Sequence, residues 1–410
     1  MSNPKLALIP SGYNDSIVYS VLPSNGSGDF QFDRSGSGTR VNKDGLIETI
    51  TEDYPRLDWL NSNCPILLLE GQKTNELYYS SDFNNWSKTN ITVASDSQTS
   101  PSGEYDADPI TRNSALTSYI SKQYSKSSSA NLDMTLSVFV RQNVGDYFAL
   151  RAQGTYPNRV DVLFQFSTKT FTTSEGGVDF QLISTNYDDY GNGWYRLSFK
   201  YETDSASTCT VLFSPRTIAG QVDSTDGASD SSVFLWGAQC EYNDLSSFIP
   251  TTTGSGTREA ETCTGSTDAT IFNDSEGVLY AEVSTNFEGI GGVKAVSVQY
   301  DANNYVAIYF RNDNNLSARV VGSGNITQVD TTYAINTFYK IAVSYNSTNV
   351  KFYVNGTQVD IDTTNTLPTS LNKISFNRGS GYGTEMEGKC KDLRYYDTAL
   401  TDAELTELTT

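Results

Sequence analysis

Short runs in which apolar and polar residues alternate recur through most of this 410-residue chain. In the run YRLSFKY at residues 195–201, every second side chain is aromatic or aliphatic, and Arg, Ser and Lys lie between them. Side chains two apart lie on the same face of a β-strand, so the pattern predicts strands with one buried face. Gly, Asn, Asp and Ser separate the runs and are typical of turns. We therefore predict an all-β protein built from antiparallel β-sandwiches.

The alternating runs form two series that a polar linker separates. The first series extends from about residue 75 to residue 250 and predicts a sandwich of the jelly-roll type. The second begins near residue 264 and contains Asn355-Gly356 between two strand-like runs, which is a strong hairpin signal. The chain ends in TDAELTELTT, where Thr401 and Glu404 have the spacing of a capping box before a short helix. The second series therefore predicts another sandwich.

The N-terminal segment is too short and too polar to hold a core of its own. Asp44-Gly45 lies between two strand-like runs and predicts a hairpin. The segment must lean on a neighbouring part of the chain, on another copy, or on an attachment site, and a docking arm is the leading hypothesis. The predicted domains are residues 1–60, an attachment segment; residues 61–253, the jelly roll, entered by the buried strand Ile66–Leu69; and residues 254–410, the second sandwich.

The pentapeptide GSGTR occurs twice, at Gly36–Arg40 and at Gly254–Arg258. Glycine allows backbone conformations that other residues avoid, and arginine offers a planar fork of donors to a carboxylate or to backbone carbonyls. Two interpretations are open: an anchored connector at a joint between domains, or an arginine that binds a ligand. We favour structural joints, in which Arg40 and Arg258 fix how successive domains are oriented and bind no substrate.

The composition argues against several classes of function. The chain has no histidine, which removes the usual general base, the usual zinc ligand and every Ser-His or Cys-His catalytic arrangement. A formal net charge of −20 argues against nucleic-acid binding, which depends on Lys and Arg. Five cysteines without CxxC spacing indicate buried small side chains in a protein made in a reducing cytosol. Neither a signal peptide nor membrane insertion is expected, because no long apolar run occurs.

Three stretches resemble known families. The C-terminal part resembles the laminin-G-like, concanavalin-A-like lectin/glucanase fold through FYKIAVSYNSTNVKFYVNGTQV and KDLRYYDTALTDAEL. The middle part resembles carbohydrate-binding-module-like jelly rolls through SSDFNNW, GNGWYRLSFKY and FLWGAQCE. The first segment, with GSGTRVNKDGLIE and CPILLLEGQKTNELYYSSDF, is similar to a module recurrent in virion proteins of tailed phages, among them head spikes, head fibres and tail fibres.

The last resemblance implies a structural protein displayed on the surface of a bacteriophage virion, on the head or the tail. Such a protein is synthesised in the host bacterial cytoplasm, attaches to other virion proteins through its N-terminal segment, and adheres to host or environmental glycans without catalysis. Fibres and spikes of this kind are commonly trimers, in which weak sites act together. With no heptad run, a homotrimer would use the sandwich faces and the N-terminal arm. The alternative is a purely structural decoration protein of the capsid or tail.

Two loops combine the groups that bind sugars, namely flat aromatic faces and fixed polar groups beside them. They are YDDYGNG at residues 187–193 and FNRGSGYG at residues 376–383. The alternative is that both are ordinary turns that carry tyrosine. The predicted carbohydrate-binding residues are Tyr187, Asp188, Asp189, Tyr190, Asn377, Arg378 and Tyr382.

Two clusters of side-chain oxygens flank one predicted strand of the second sandwich. They are DANN at residues 301–304 and NDNN at residues 312–315. Asp and Asn oxygens suit Ca²⁺, and the same residues are common in turns, so both interpretations stay open. No other cofactor is expected. The candidate calcium ligands are Asp301, Asn303, Asp313 and Asn315.

Glucanases of the lectin-like fold carry an ExDxxE-type strand with paired carboxylates, and this chain has no such run. Glu385 and Glu387 are the nearest pair, followed by Asp392. Residues two apart share a strand face, which leaves a glycosidase pair geometrically open. The spacing to the third carboxylate does not match the motif and favours an acidic rim. The chain is therefore predicted not to be an enzyme, and a polysaccharide-trimming hydrolase is the less favoured alternative.

Overall fold

The computed structural model describes residues 2–127, 130–286, 292–378 and 384–410. In these ranges the chain consists of antiparallel sheets and one short C-terminal α-helix, which confirms the all-β prediction. The chain divides into two compact units, and each is described by itself. The terminal unit comprises Met1–Lys43, Thr49–Gln72 and Glu259–Thr410, and the central unit comprises Asp44–Glu48 and Lys73–Arg258.

The strands are short, and turns rich in Gly, Asn, Asp and Ser join them. The first eight strands are β1 (Leu6–Leu8), β2 (Tyr13–Asn14), β3 (Ile17–Val18), β4 (Phe30–Asp33), β5 (Gly38–Val41), β6 (Ile47–Ile50), β7 (Arg56–Asp58) and β8 (Ile66–Leu69). The next fourteen are β9 (Lys73–Asn75), β10 (Ser87–Thr89), β11 (Ile91–Val93), β12 (Asp108–Arg112), β13 (Tyr119–Ser125), β14 (Asp133–Val144), β15 (Tyr147–Gln153), β16 (Arg159–Gln165), β17 (Thr170–Gly176), β18 (Gln181–Asp189), β19 (Trp194–Glu202), β20 (Thr208–Arg216), β21 (Ser232–Tyr242) and β22 (Gly256–Arg258). The last eleven and the helix are β23 (Thr262–Thr264), β24 (Gly277–Thr285), β25 (Val293–Asp301), β26 (Asn304–Arg311), β27 (Asn315–Gly322), β28 (Asn325–Thr332), β29 (Tyr339–Tyr345), β30 (Val350–Val354), β31 (Thr357–Asp362), β32 (Lys373–Ser375), β33 (Gly388–Tyr396) and α1 (Asp402–Thr409).

The central unit is a sandwich of two six-stranded sheets. One sheet has the order β10-β13-β20-β15-β16-β17, and the other has the order β11-β12-β21-β14-β19-β18. Alternate residues of both sheets meet in one core, for example Leu136 of β14 and Phe213 of β20, which are fully buried. Trp86 joins this core and stacks on Phe213 at a centroid distance of 5.4 Å. The period-two pattern therefore predicts the layers of this unit correctly.

The terminal unit is a second sandwich, with a nine-stranded and an eight-stranded sheet. The nine-stranded sheet has the order β2-β3-β4-β23-β32-β25-β26-β27-β28. The eight-stranded sheet has the order β31-β30-β29-β24-β33-β8-β7, with β1 also paired to β33. One core lies between them and includes Ile308 of β26 and Val343 of β29.

The N-terminal residues fold as part of the C-terminal sandwich. This arrangement differs from the predicted domain boundary at residue 60. Leu6–Leu8 pairs with β33, and Phe30–Asp33 pairs with β23. The aliphatic run Ile66–Leu69 also pairs with β33, so it belongs to the terminal unit and does not begin the jelly roll. Of the alternatives for this segment, leaning on a neighbouring part of the chain is the one that the structure shows. Local alternation identifies such strands but not their distant partners.

Local signals in the second sandwich are confirmed in detail. Asn355 and Gly356, with φ values of 49° and 79°, form the turn of the β30–β31 hairpin. Thr401 caps α1, and Glu404 completes the capping box by accepting from the Thr401 backbone N–H at 2.9 Å. Helix α1 buries Leu405 and Leu408 in a cluster with Tyr280 and other outward-facing side chains of the eight-stranded sheet.

The prediction of buried cysteines is confirmed at four of the five positions. Cys209, Cys240, Cys263 and Cys390 are buried free thiols, whereas Cys64 is exposed, so the prediction of buried cysteines fails there. Cys64 follows a turn in which its backbone N–H contacts the Ser62 hydroxyl, outside any strand. Within the described ranges, no helix has the length and hydropathy needed to cross a membrane.

Candidate functional site

The outer face of the nine-stranded sheet, which points away from the sandwich core, carries a cluster of tyrosine and arginine. Strand β26 reads NYVAIYFR, and its Val306, Ile308 and Phe310 enter the core. Tyr305 and Tyr309 alternate with them and lie on the outer face, where their ring centroids are 6.3 Å apart. The period of two therefore places these two tyrosines side by side on one surface.

Two arginines lie over these tyrosine rings. The Arg319 guanidinium carbon, from β27, is 4.8 Å from the centroid of Tyr309. The Arg378 guanidinium carbon is 5.5 Å from the centroid of Tyr305 and 5.7 Å from that of Tyr309. Arg378 Nη1 also donates to the Tyr305 hydroxyl at 3.3 Å. Tyr305, Tyr309, Arg319 and Arg378 are called the arginine–tyrosine face below.

Both tyrosines are almost fully buried, whereas both arginines remain partly exposed. The two arginine side chains are thus the accessible part of the cluster, although the Nε atom of Arg378 is itself buried. A cation held against an aromatic face gains about 0.5–2 kcal/mol, more when it is partly desolvated. The tyrosines therefore act as a support that fixes the planes of the arginine donors.

Polar side chains beside the arginine–tyrosine face are mutually hydrogen bonded. Gln299 Nε2 donates to Ser375 Oγ at 2.7 Å and to Asn377 Oδ1 at 3.2 Å. Ser375 Oγ donates to the same Asn377 oxygen at 2.8 Å. The sequence-predicted residues Asn377 and Arg378 are thus brought together, with Asn377 in a structural role. Tyr382, predicted from the same loop, lies outside the described residues.

Several buried polar atoms in this cluster have no hydrogen-bond partner among the described residues, and two of them are acceptor or donor atoms of uncharged side chains. These two are the Tyr309 hydroxyl and Gln299 Oε1, on side chains with 0% exposure. Most buried polar groups are paired, and an unpaired one costs about 1–3 kcal/mol. A ligand that supplies an acceptor and a donor here would remove that cost.

Charge is unevenly distributed along this surface. Arg311 Nη2 lies 2.8 Å from Asp313 Oδ2, and its Nη1 lies 3.7 Å from Asp330 Oδ1. Arg319 Nε instead donates to the neutral Gln328 Oε1 at 2.5 Å. No carboxylate among the described residues lies within ion-pair distance of Arg319. Arg319 thus has no direct ion-pair partner among the described residues, and the nearest carboxylate contact runs through Gln328, whose Nε2 donates to both oxygens of Asp330 at 3.0 and 2.9 Å.

The first predicted sugar loop does not form a single platform. Tyr187 lies within β18, and its ring is 5.7 Å from Phe164 and 6.1 Å from Tyr195. The Tyr190 ring is instead 4.9 Å from Phe139, whose neighbours are the outward-facing Trp236 and Phe248. Tyr187 and Tyr190 thus pack on opposite faces of their sheet.

The acidic residues of the same loop support the backbone turn. Asp189 Oδ1 accepts from the Gly191 backbone N–H at 2.8 Å. Asp188 Oδ2 is 3.4 Å from Asn186 Nδ2. Both aspartates belong to β18, so the prediction of a seven-residue loop is wrong at its first three positions. The prediction failed because strand β18 continues into polar residues whose sequence is typical of a turn.

The two predicted calcium clusters lie at opposite ends of β26, so they cannot hold one ion together. Asp301 Oδ1 accepts from the Asn303 backbone N–H at 2.9 Å and from Asn304 Nδ2 at 3.1 Å. Both bonds lie within the turn that precedes the strand, as is usual for aspartate in a turn.

At the other end of β26, Asp313 accepts from the Asn315 backbone N–H at 3.2 Å. Burial raises the pKa of Asp313, but the hydrogen bonds from Asn315 and the positive charge of Arg311 outweigh the effect of burial. The pKa of Asp313 is therefore lowered overall. Among the described residues, no group of three or more His, Cys, Asp or Glu side chains is placed to hold a metal ion. The observed contacts are those of ordinary turns, and the calcium site stays a prediction.

The carboxylates considered for catalysis are engaged in separate ion pairs. Glu387 Oε1 is 2.6 Å from Lys294 Nζ. Asp392 forms a two-point ion pair with Arg394 at 2.9 and 2.5 Å. Burial raises the pKa of Asp392, and the ion pair with Arg394 opposes this effect. Each of these two groups thus has its own cationic partner, whereas Glu385 has no described partner that would orient it.

The two GSGTR arginines have structural contacts within their own units. Arg258 ends β22 and is buried, and its Nη1 donates to the hydroxyls of Ser246 at 3.2 Å and Ser247 at 3.0 Å. The Arg40 guanidinium carbon is 5.7 Å from the ring centroid of Tyr13. These contacts agree with the connector interpretation, and the effect on domain orientation stays a prediction.

A buried ionic network next to the first GSGTR was not predicted from the sequence. Arg34 Nη1 lies 2.7 Å from Glu261 Oε1, and Arg56 Nη1 lies 2.7 Å from Glu70 Oε2. Arg56 also contacts both oxygens of Glu261. Carbonyls of the glycine-rich loop accept from these arginines, at Gly36 from Arg34 and at Thr39 from Arg56. The network holds the N-terminal segment inside the terminal unit.

Comparison with known proteins places the arginine–tyrosine face in a recognised domain. Residues 285–406 match the family described as the concanavalin A-like lectin/glucanases superfamily, in its laminin G form. The C-terminal resemblance seen in the sequence is thereby confirmed for this domain. No curated protein sequence matches the chain.

Solved structures with similar folds include several binding domains. The CBM40 domain of a Ruminococcus gnavus IT-sialidase, bound to α2,3-sialyllactose, is 14% identical, and the match covers 35% of this chain and 86% of that one, with a TM-score of 0.29. Domain 4 of a Geobacillus stearothermophilus arabinanase, in complex with arabinotriose, is 15% identical over 41% of this chain and 82% of that one, with a TM-score of 0.32. The receptor-binding domain of botulinum neurotoxin type G is 14% identical over 36% and 39%, with a TM-score of 0.30.

Three members of the arginine–tyrosine face were missed by sequence reasoning. Tyr305 and Tyr309 lie in YVAIYFR, where apolar and aromatic residues occupy both strand faces, so the pattern does not tell the outer face from the core. Arg319 is a single basic residue in a strand, which is usually a solvated side chain. The available signal was the four-residue spacing of the two tyrosines, which places them on one face.

Proposed function

We propose that this protein binds glycans without catalysis, and that the arginine–tyrosine face is the binding surface. The observation that carries the proposal is the pair of partly exposed guanidinium groups held over Tyr305 and Tyr309. Fixed, planar donors suit sugar oxygens, because little rotamer freedom is lost when the ligand binds. The location of this face in a domain of the lectin/glucanases superfamily supports the assignment.

A non-catalytic role is supported by the state of the acidic residues. Glu387 and Asp392 each have a cationic partner, Lys294 and Arg394 respectively. A glycosidase requires two carboxyl groups that flank the scissile bond at a defined separation. Adhesion needs only recognition, and weak single sites suffice when several copies act together.

The finer proposal is display on a tailed-phage virion as a fibre or spike protein, on the head or the tail. It rests on the resemblance of the first segment to phage modules. A docking role is supported by three exposed apolar side chains, Ile9, Tyr19 and Val21, which are 41%, 44% and 49% exposed. They lie on neighbouring chain segments that the Ala7–Leu22 bridge joins. Exposed apolar groups of this kind mark contact surfaces when they cluster. A homotrimer would give the multivalency that adhesion requires, and light scattering that shows a stable monomer would count against it.

A glycan array tests the proposed function. The full chain, coupled to beads so that many copies act together, is expected to bind a reproducible subset of glycans. The same beads with a heat-denatured chain are the control. Absence of binding across the array at high bead density would contradict glycan recognition and would favour a purely structural decoration protein.

A further inference from the structure

We propose that the arginine–tyrosine face recognises the carboxylate of an acidic sugar residue. Arg319 and Arg378 supply the cationic hydrogen-bond donors, and the Tyr309 hydroxyl supplies an additional, neutral donor. The inference rests on the proposed glycan binding and names the chemical class of its ligand, a sugar that carries a carboxylate.

The first argument is electrostatic. A chain with a formal net charge of −20 repels anions on average, so anion recognition needs a local cation that is not already neutralised. Arg319 meets this condition most closely, because its Nε contacts the neutral Gln328, which separates it from the Asp330 carboxylate, and no carboxylate among the described residues pairs with it directly. Charges beyond about 8 Å are largely screened at physiological ionic strength, so the local groups dominate for a bound ligand.

The second argument is geometric. Arg319 and Arg378 both lie over the ring of Tyr309, at 4.8 and 5.7 Å from its centroid, so their guanidinium groups converge on one region of the sheet. A guanidinium donates two parallel N–H bonds to a carboxylate, and such charge-assisted bonds are roughly twice as strong as neutral ones. A neutral sugar hydroxyl cannot accept two such bonds in the same geometry.

The third argument is the unused donor in the cluster. The Tyr309 hydroxyl is buried without a partner among the described residues. A carboxylate oxygen is a strong acceptor that would satisfy it. Because the hydroxyl is covered, its bond to the ligand is expected to require a small shift of the side chains above it, with both guanidinium groups still held against the tyrosine rings.

Isothermal titration of the full chain tests the proposal with two carboxylate sources and their neutral counterparts. The probes are trigalacturonic acid against its methyl ester, and 3′-sialyllactose against lactose. At least one acidic probe is expected to bind about tenfold or more tightly than its neutral counterpart, a difference in binding free energy of about 1.4 kcal/mol. The two arms distinguish a uronate from a sialate.

Variants connect the preference to this face. Arg319→Gln is expected to remove the preference for the acidic probe. Arg311→Gln is the control: it removes the same charge from the same sheet, at a position already paired with Asp313. This variant is expected to retain the preference for the acidic probe. Tyr309→Phe is expected to weaken acidic binding several-fold without lowering the melting temperature, which separates a role in binding from one in folding.

The outcomes distinguish the inference from the proposed function. Equal binding of acidic and neutral probes, lost in Arg319→Gln, would overturn the acidic specificity and leave glycan binding in place. An acidic preference that Arg319→Gln and Tyr309→Phe both retain would overturn the assignment to this face. Absence of binding by these probes and by every glycan on the array would overturn both.

Discussion

Arg56 and Glu261 form a buried two-point ion pair although 205 residues separate them in sequence. Their side chains are fully buried; burial lowers the pKa of Arg56, but the adjacent Glu261 and Glu70 carboxylates outweigh this effect and raise the pKa overall. The pair joins the N-terminal segment to the C-terminal sandwich, so that Met1–Lys43 and Glu259–Thr410 fold as parts of one unit.

Glu261→Gln is expected to destabilise the terminal unit by about 3–5 kcal/mol, because removal of one partner leaves the buried charges of Arg34 and Arg56 without their shared carboxylate. Urea unfolding followed by fluorescence measures the change. Glu259→Gln is the matched control, since Glu259 accepts from Gln72 near the surface and its loss should cost less than about 1 kcal/mol. Equal effects of the two substitutions would contradict the structural role of the network.

Tyr309→Phe is expected to leave stability unchanged or to raise it by on the order of 1 kcal/mol, because it deletes a buried hydroxyl that has no described partner. Tyr345→Phe is the matched control: its hydroxyl donates to the Asn273 carbonyl at 2.6 Å and contacts the Tyr395 hydroxyl at 2.8 Å. That substitution should destabilise by about 1–3 kcal/mol. Thermal melts of both variants provide the comparison, and a loss of stability in Tyr309→Phe would show that its hydroxyl is paired in solution.

Much of the fold follows from local signals in the sequence. The strands of the central sandwich, the Asn355-Gly356 hairpin and the Thr401 cap each depend on residues close together in the chain, and each is confirmed. The partners of Leu6–Leu8 and Ile66–Leu69 were not predictable, because both pair with β33 more than 300 residues away. Alternation reveals that a strand has a buried face and says nothing about which strand lies beside it.

The candidate site was predictable only in part, for a related reason. Asn377 and Arg378 were identified from a polar, glycine-rich loop, which is where binding groups concentrate. Tyr305, Tyr309 and Arg319 come from regular strands, and their convergence depends on the order β25-β26-β27 within the sheet. Tyr187 was assigned to a loop because its neighbours have a turn-like composition. It lies in a strand, and its ring packs on Phe164 and Phe171.

Asp108 is expected to make the stability of the central unit depend on pH. Burial raises its pKa from 3.8 to about 6, which the hydrogen bonds from the backbone N–H groups of Asp96 and Phe83 only partly oppose. The folded state therefore binds the proton more tightly than the unfolded state. This contribution is fully present below about pH 3.8 and is lost as the pH rises through 6, a change of about 3 kcal/mol at about 1.4 kcal/mol per pKa unit.

Comparison with Asp108→Asn isolates this titration, since all other groups are shared. The unfolding free energy of the wild type minus that of the variant should fall by about 2.4 kcal/mol between pH 4 and pH 7. The Asn side chain has one acceptor fewer than Asp, which shifts the unfolding free energy of the variant by a constant amount that does not depend on pH. Parallel pH profiles would contradict a raised pKa for Asp108.

Calcium is expected to have no effect on the melting temperature of the terminal unit. Asp301 and Asp313 serve separate turns, and Asp313 is paired with Arg311. An ion bound to the folded state would raise stability in proportion to the logarithm of its concentration. Melts in EDTA and in millimolar CaCl₂ should therefore coincide, and a chelator-sensitive transition would restore the calcium prediction.

The most direct test of glycan recognition is array binding by the wild type and by an Arg319→Ala/Arg378→Ala double variant. Both are presented at equal density after their melting profiles have been shown to agree. The wild type is expected to bind a defined set of glycans, and the variant to lose at least about tenfold in affinity for that set, since both accessible guanidinium groups are gone. A folded double variant that binds the same glycans as tightly as the wild type would contradict the assignment of binding to the arginine–tyrosine face.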